Sequence, residues 1–452
     1  MSLSELTFES HEKYYKTAYY ADCIKDYQIL QRNPLNDSAT VIFYNGTQQT
    51  YKIGGPYTIN GANNIYVGDI WIMAGQSNMR GHGYQIDPYS KCSLIEHGQP
   101  GIHLYNSEEE WTTAEEPLHQ LYKSKRTVHH TLPDPTVKNP KLLEYRGASL
   151  GLSFAKHYQK ISSNIPVGLV ASAHGGTSLN DWKRPDTINK DTEDTTLYGA
   201  MMARIKAVGG CIAGILWYQG ESDTNTTQDA STYEPRFRRW LDQVREDIGF
   251  QALPIAFVQI GPHVIDLEET KKNWTSVQLA QFRIMLEQVH TAGVSSVGCS
   301  LDDRLHLSAV GLKLVGERLA IVASKLVNPL DTSTFVSNDT FCAQYQDPIV
   351  SHLKGSLPPC ILFTDQGWSV RQTYNANDLR LNVAGFGLQC ADEKVAIINA
   401  RVEKNGCQIK IWISHKPNDD LFLTYGLKYP LIDSLNKGWP AFLIKVKPCR
   451  DD

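Results

Sequence analysis

A chain of 452 residues, 41% hydrophobic and 20% charged, has the composition of an ordinary globular protein and is too long for one typical domain, so two or three are expected. Its formal charge of −4 argues against nucleic acid or an anionic membrane surface as the main partner, because both select a basic face. No apolar run approaches the roughly 18 residues needed to cross a bilayer, and nine cysteines without a C-x-x-C pair argue against a structural zinc site.

Residues 1–66 read as a small antiparallel β-rich unit. Short alternating runs such as Thr40-Val41-Ile42-Phe43-Tyr44 are broken by Asn45-Gly46 and Gly54-Gly55-Pro56. The first residues lack the charged and apolar regions of a signal peptide, which leaves the compartment open. Residues 67–329 then alternate strand and helix patterns. Strands are expected at 67–73, 165–173, 212–218, 253–260 and 294–301, and helices at 148–159, 197–208, 233–247, 276–290 and 309–327. Strict alternation predicts βαβ units and a parallel sheet covered by helices on both faces.

Within that domain, residues 80–147 break the alternation, with one strand expected at 102–105. A loop of this length beside strand ends predicts a substrate-side wall, offering His82, Tyr84, His129 and His130 as contacts. Solvated histidines that touch nothing are the alternative. Residues 330–452 form a second β-rich unit, free-standing or packed with the first.

Chemistry concentrates where strand patterns end. The apolar run 67–73 closes in Ala74-Gly75 before Gln76-Ser77-Asn78-Met79, which puts a serine hydroxyl at the carboxyl end of a strand, where α/β sheets bind ligands. Such a hydroxyl needs a base and a group that orients the base. His306 and Asp303 in Asp303-Arg304-Leu305-His306 supply both, with Asp302 as a competing orienter. Two further strand patterns stop at His174-Gly175-Gly176-Thr177-Ser178 and at Gln219-Gly220-Glu221-Ser222-Asp223. Glycine N–H groups and the Gln219 amide are donors suited to the oxyanion that forms in acyl transfer, although paired glycines also serve as plain turns. Glu221 and Asp223 are read as loop braces before a glycosidase pair. Trp182 is open to stacking on a sugar or filling the core. Arg236, Arg238 and Arg239 read as a solvated helix face.

These four blocks, in this order, resemble the SGNH (GDSL-like) hydrolase superfamily and, within it, the sialate O-acetylesterase and carbohydrate acetylesterase family. The likeness extends to Gln31-Arg32, to Trp111 through Leu118, and to Asn436 through Phe442. It implies a three-layer αβα fold with a central parallel sheet flanked by small β-rich units. It also implies Ser77 as nucleophile, His306 as base and Asp303 as orienter. The oxyanion hole would come from Ser77, Gly175 or Gly176, and Gln219. Gln76, His174, Trp182, Glu221 and His82 become expected substrate contacts. The implied activity is serine-esterase removal of O-acetyl groups from sialic acid or related sugars, with no metal or organic cofactor. Acetyl xylan or other glycan esterase, O-acyltransferase and non-catalytic carbohydrate binding are the alternatives. The resemblance favours a secreted, periplasmic or lysosome-like compartment over cytoplasm. One departure stands out, since Leu307 follows the histidine where relatives usually carry proline.

Overall fold

The strand that leads to Ser77 is longer than its apolar core. In the computed structural model, which describes residues 13–15, 18–261, 263–264, 267–297, 299–327, 341–346, 360–365, 386–389, 397–402, 408–413, 421–425 and 442–447, it runs from Ala62 to Gly75. Its first residues, Ala62-Asn63-Asn64, are partly exposed, whereas Val67 through Gly75 are buried. The polar end therefore serves the N-terminal unit and the apolar end the main sheet.

The N-terminal strands are β1 (Ala18–Tyr20), β2 (Ile29–Gln31), β3 (Ser38–Ile42), β4 (Gln48–Lys52) and β5 (Gly54–Ile59), and the long strand is β6. β3 and β4 pair antiparallel around Asn45-Gly46, but β1 lies parallel to β3, so this small sheet is mixed rather than purely antiparallel. β2 and β5 pair with β6 itself. A buried ion pair locks that junction, with Arg32 Nε and Nη2 at 3.0 and 2.9 Å from the Asp69 carboxylate, which also accepts from Gln31 and the Tyr158 hydroxyl. Breaking one partner of such a pair typically costs about 3–5 kcal/mol.

The main sheet adds β8 (Ile102–Tyr105), β9 (Trp111–Thr113), β11 (Val167–Ala171), β12 (Gly214–Tyr218), β13 (Ile255–Gln259) and β14 (Thr291–Ser295), in the order β14-β13-β12-β6-β11-β8-β9. All neighbours are parallel except β9 at the edge. Ile70 through Ala74 are fully buried, as expected where both faces of a parallel sheet are covered. The remaining strands, β7 (Gly83–Tyr84) and β10 (Arg146–Ala148), pair inside the 80–147 stretch. That stretch is thus partly structured, and it contributes β8 to the sheet.

Among the helices of this unit are α1 (Ser77–Arg80), α2 (Gly151–Ile161), α3 (Leu197–Ala207), α4 (Tyr233–Ile248), α5 (Glu268–Glu287) and α6 (Ala309–Leu326). Gly316 of α6 permits close approach to α2, since a Cβ there would lie 2.2 Å from Ser153 Oγ. Two elements are displaced from expectation. α5 begins eight residues before the predicted 276, because its first turns are polar and only from Trp274 does an apolar stripe appear. β14 precedes the predicted 294–301. The Ser295 carbonyl accepts from Arg318 Nη1, and the chain then leaves the sheet to form the loop carrying Asp303 and His306.

In the C-terminal part a seven-stranded sheet has the order β17-β20-β21-β15-β16-β19-β18, comprising Phe341–Gln346, Cys360–Asp365, Phe386–Gln389, Ile397–Val402, Gln408–Ile413, Phe422–Tyr425 and Phe442–Lys447 as β15 to β21. Residues 436–441, part of the resemblance noted above, lie outside the described residues. Among the described residues no helix is long and apolar enough to cross a membrane.

Candidate active site

Register brings the site together. Ala171 pairs with Met73 and Tyr218 with Gly75, so β11, β6 and β12 end side by side and release His174–Thr177, Gln76–Asn78 and Gln219–Asp223 at one rim. Gly75 makes the turn. Its φ is +130°, and a Cβ would sit 2.2 Å from the Tyr218 carbonyl, so no other residue fits without backbone movement. Ser77 then opens the short helix α1, and its hydroxyl lies 2.9 Å from His306 Nε2.

The His306 imidazole is held from its other side. His306 Nδ1 lies 2.9 and 3.0 Å from the two Asp303 oxygens, and Asp303 Oδ1 also accepts the backbone N–H of Leu305 and His306. Burial would raise this carboxyl, but the two backbone donors and the imidazole outweigh it and hold Asp303 at about 2. Asp302 is turned away and accepts from the Tyr84 N–H at 2.7 Å. Burial lowers the His306 pKa below its ordinary value; Asp303 opposes that shift, and Arg80 and Arg146 add to it.

Asn78, unassigned by sequence reasoning, joins the two halves. Its Oδ1 accepts from the Leu307 N–H at 3.0 Å, and its Nδ2 donates to Glu221 at 2.7 Å and weakly to the Leu305 carbonyl at 3.4 Å. The departure at Leu307 now has a physical consequence, because proline has no N–H and could not make this bond. Glu221 is a buried brace, its carboxyl raised to about 7 by burial against the opposing Asn78 bond.

Other expected roles change. Trp182 is corrected from sugar contact to core, since it is fully buried, edge-on to Trp217 at 5.2 Å, with its indole N–H donating to Thr177 Oγ1. His174 is likewise fully buried, its Nδ1 3.0 Å from His129 Nδ1, so it stands beneath the surface instead of lining it; burial pushes His174 down to about 4. Gln76 is buried, with its Oε1 accepting from the N–H groups of Gly220 and Ser222. His130 turns to the Ser124 carbonyl. Arg236 is not simply solvated, because it pairs with buried Asp223 at 2.6 Å. Arg238 bridges Glu234 and Glu287.

The expected oxyanion donors divide. Gln219 Nε2 is fully buried and donates to Asp223 at 2.6 Å and to the Thr177 carbonyl at 3.1 Å, which uses both amide hydrogens in bracing. The backbone N–H groups of Ser77, Gly175 and Gly176 meet no protein acceptor among the described residues. Gly175 is pinned by Asp134, whose Oδ2 would lie 2.3 Å from a Cβ, and Asp134 pairs with buried Arg80 at 3.2 Å.

The profile of the carbohydrate esterase, sialic acid-specific acetylesterase family matches residues 67–325. A probable carbohydrate esterase of Arabidopsis thaliana is 29% identical over 268 residues, 56% of this chain and 88% of that protein. Human sialate O-acetylesterase is 22% identical over 264 residues, covering 49% of this chain and 46% of its own length. A crystal structure of a carbohydrate acetylesterase from Xanthomonas citri shares the fold, with a TM-score of 0.59, 18% identity and coverage of 94% of this chain and 95% of that one. With more than half its length matched by the family profile, this chain belongs to the carbohydrate esterase, sialic acid-specific acetylesterase family.

Proposed function

We propose that the chain is a carbohydrate O-acetylesterase on an SGNH-type three-layer scaffold, removing O-acetyl groups from sialic acid or related acetylated sugars through an acyl-enzyme. The observation that carries this reading is the line from Ser77 Oγ to His306 Nε2 at 2.9 Å, and from His306 Nδ1 to Asp303 at 2.9 Å. Ser77 Oγ attacks the acetyl carbonyl carbon while His306 Nε2 takes its proton. Asp303, ionised, holds Nδ1–H toward itself and stabilises the imidazolium. The ester C–O bond breaks, and the sugar oxygen leaves with the proton from His306. Water then attacks the acetyl-Ser77 carbonyl by the same route and frees acetate.

Negative charge on the carbonyl oxygen falls to the N–H groups of Ser77 and of Gly175 or Gly176, which meet no acceptor among the described residues, with Gln219 bracing the loop beside them. An acyltransferase would share every step but the last, with a sugar hydroxyl in place of water.

Acetate release from 9-O-acetyl sialic acid, acetylated xylan and 4-nitrophenyl acetate tests the proposal, with Ser77→Ala as control. Release from at least one acetylated sugar, lost in the variant, is expected. Release from 4-nitrophenyl acetate alone would remove the carbohydrate assignment, and acetyl transfer to an added sugar alcohol in preference to water would select the transferase.

A further inference from the structure

His82, expected at the sequence level to meet substrate, sits instead against the base. Its ring lies over that of His306, centroids 4.0 Å apart at 43°, and its side chain is 18% exposed. Its Nδ1 is 3.1 Å from Arg80 Nη2. Arginine can only donate, so Nδ1 is the lone-pair nitrogen and the ring proton resides on Nε2. That Nε2 faces Asp303 Oδ2 at 3.8 Å, longer than a hydrogen bond, so the N–H acts there as an oriented dipole. Arg146, stacked on Tyr84 at 4.1 Å, fastens the pair by donating to the His82 carbonyl at 3.1 Å and to Asp303 at 3.2 Å.

We propose that His82 is a positioning residue for the reaction, a second imidazole whose ring covers His306 and whose Nε2–H is held toward Asp303 by Arg80, so that the base keeps one orientation. The inference rests on the esterase reading above.

A metal site is the competing interpretation, because ligand atoms of His82, Asp303 and His306 lie within 4.8 Å of one another. Arg80 already occupies Nδ1 of His82, and Arg146 lies beside the carboxylate, so two guanidinium groups oppose a cation there. The same surroundings keep His82 neutral. Burial first, then His306, Arg80 and Arg146, push it down to about 3, against the pull of Asp303.

The groups facing His306 are Asp303 on its own loop, His82 and Arg80 from the nucleophile turn, and Arg146 from β10. Removing the His82 ring opens one face of His306 to water and relieves the desolvation that depresses its pKa. The base must be neutral to act, so the acid limb of activity then moves to higher pH.

The test is acetate release from 4-nitrophenyl acetate between roughly pH 4 and 8 for wild type, His82→Ala, His82→Gln and Ser77→Ala, each checked for folding by thermal melt. For His82→Ala the expected result is a fall in kcat of roughly tenfold, a KM change under about threefold, and an acid limb displaced upward. His82→Gln, which restores an N–H at that reach, recovers part of the rate. An unchanged rate and limb in His82→Ala overturns the inference, as does a change in KM alone, which would return His82 to substrate contact. If Ser77→Ala stays active, both readings fall. If Ser77→Ala is inactive while His82→Ala matches wild type, only the His82 assignment is lost.

Discussion

The proposed nucleophile half and the proposed base half of the site are held by different forces. Ser77, Gly175 and Gln219 hang from the ends of buried parallel strands, and their positions follow from β-register, from glycines that admit no side chain, and from a packed core. His306 and Asp303 stand on a loop beyond β14, with the Asp303 side chain 35% exposed, and a few hydrogen bonds through Asn78, Arg146 and backbone amides fix them. The first half sets its charges in a buried Arg80–Asp134 pair behind Gly175, whereas the second carries a partly exposed carboxylate. Rigidity from packing and rigidity from hydrogen bonds should therefore fail differently under mutation.

The largest expected effect is on the base half. Asp303→Asn should lower kcat by about 10⁴, because an amide no longer selects the Nδ1–H tautomer of His306, while the melting temperature stays near wild type. Kinetics paired with a thermal melt checks it, and a kcat within tenfold of wild type would mean that Asp303 does not orient the base.

In the nucleophile half, Gln219→Ala should behave in the opposite sense. Loss of the buried amide leaves the Asp223 carboxylate short of a donor, so stability should fall by about 1–3 kcal/mol along with activity. Denaturant unfolding measures this. Undiminished stability with a rate loss of 10²–10³ would instead mark Gln219 as a direct oxyanion donor.

The junction is next. Leu307→Pro removes the N–H that Asn78 accepts, and a drop in kcat of roughly tenfold is expected with little change in KM. An unchanged kcat would show that the loop keeps its place without this bond.

The smallest effect is in pH. His306 is held below its ordinary value, so the neutral form that the proposed mechanism requires persists to lower pH. The acid limb of kcat/KM should fall below about 6.5, the value for an unperturbed histidine. A limb above 6.5 would mean that Asp303 outweighs burial.

Much of this was legible in the chain because buried parallel strands write themselves as unbroken apolar runs. Ile70 through Ala74 could scarcely be anything else, and the serine that follows inherits its place from them. Elements with polar faces were read less well: α5 begins in Glu268-Glu269, and the exposed end of β6 belongs to the N-terminal unit. In the site, Ser77, His306 and Asp303, which the structure brings together, stand out in the sequence because each sits in a compact motif. Asn78, Arg146 and Asp134 were missed because their meaning lies in partners far along the chain, such as Leu307, Asp303 and Arg80. Trp182 was misjudged for a related reason, since the sequence of an aromatic residue is silent on whether its face meets solvent or Trp217.

Covalent trapping tests the central claim most directly. The protein is reacted with an acetyl ester under rapid acid quench, or with a serine-directed phosphonate, and the modified peptide is located by mass spectrometry. The account predicts one adduct on Ser77, absent in Ser77→Ala and formed far more slowly in His306→Asn. An adduct on another residue, or labelling of Ser77 at an undiminished rate without the imidazole, would contradict it.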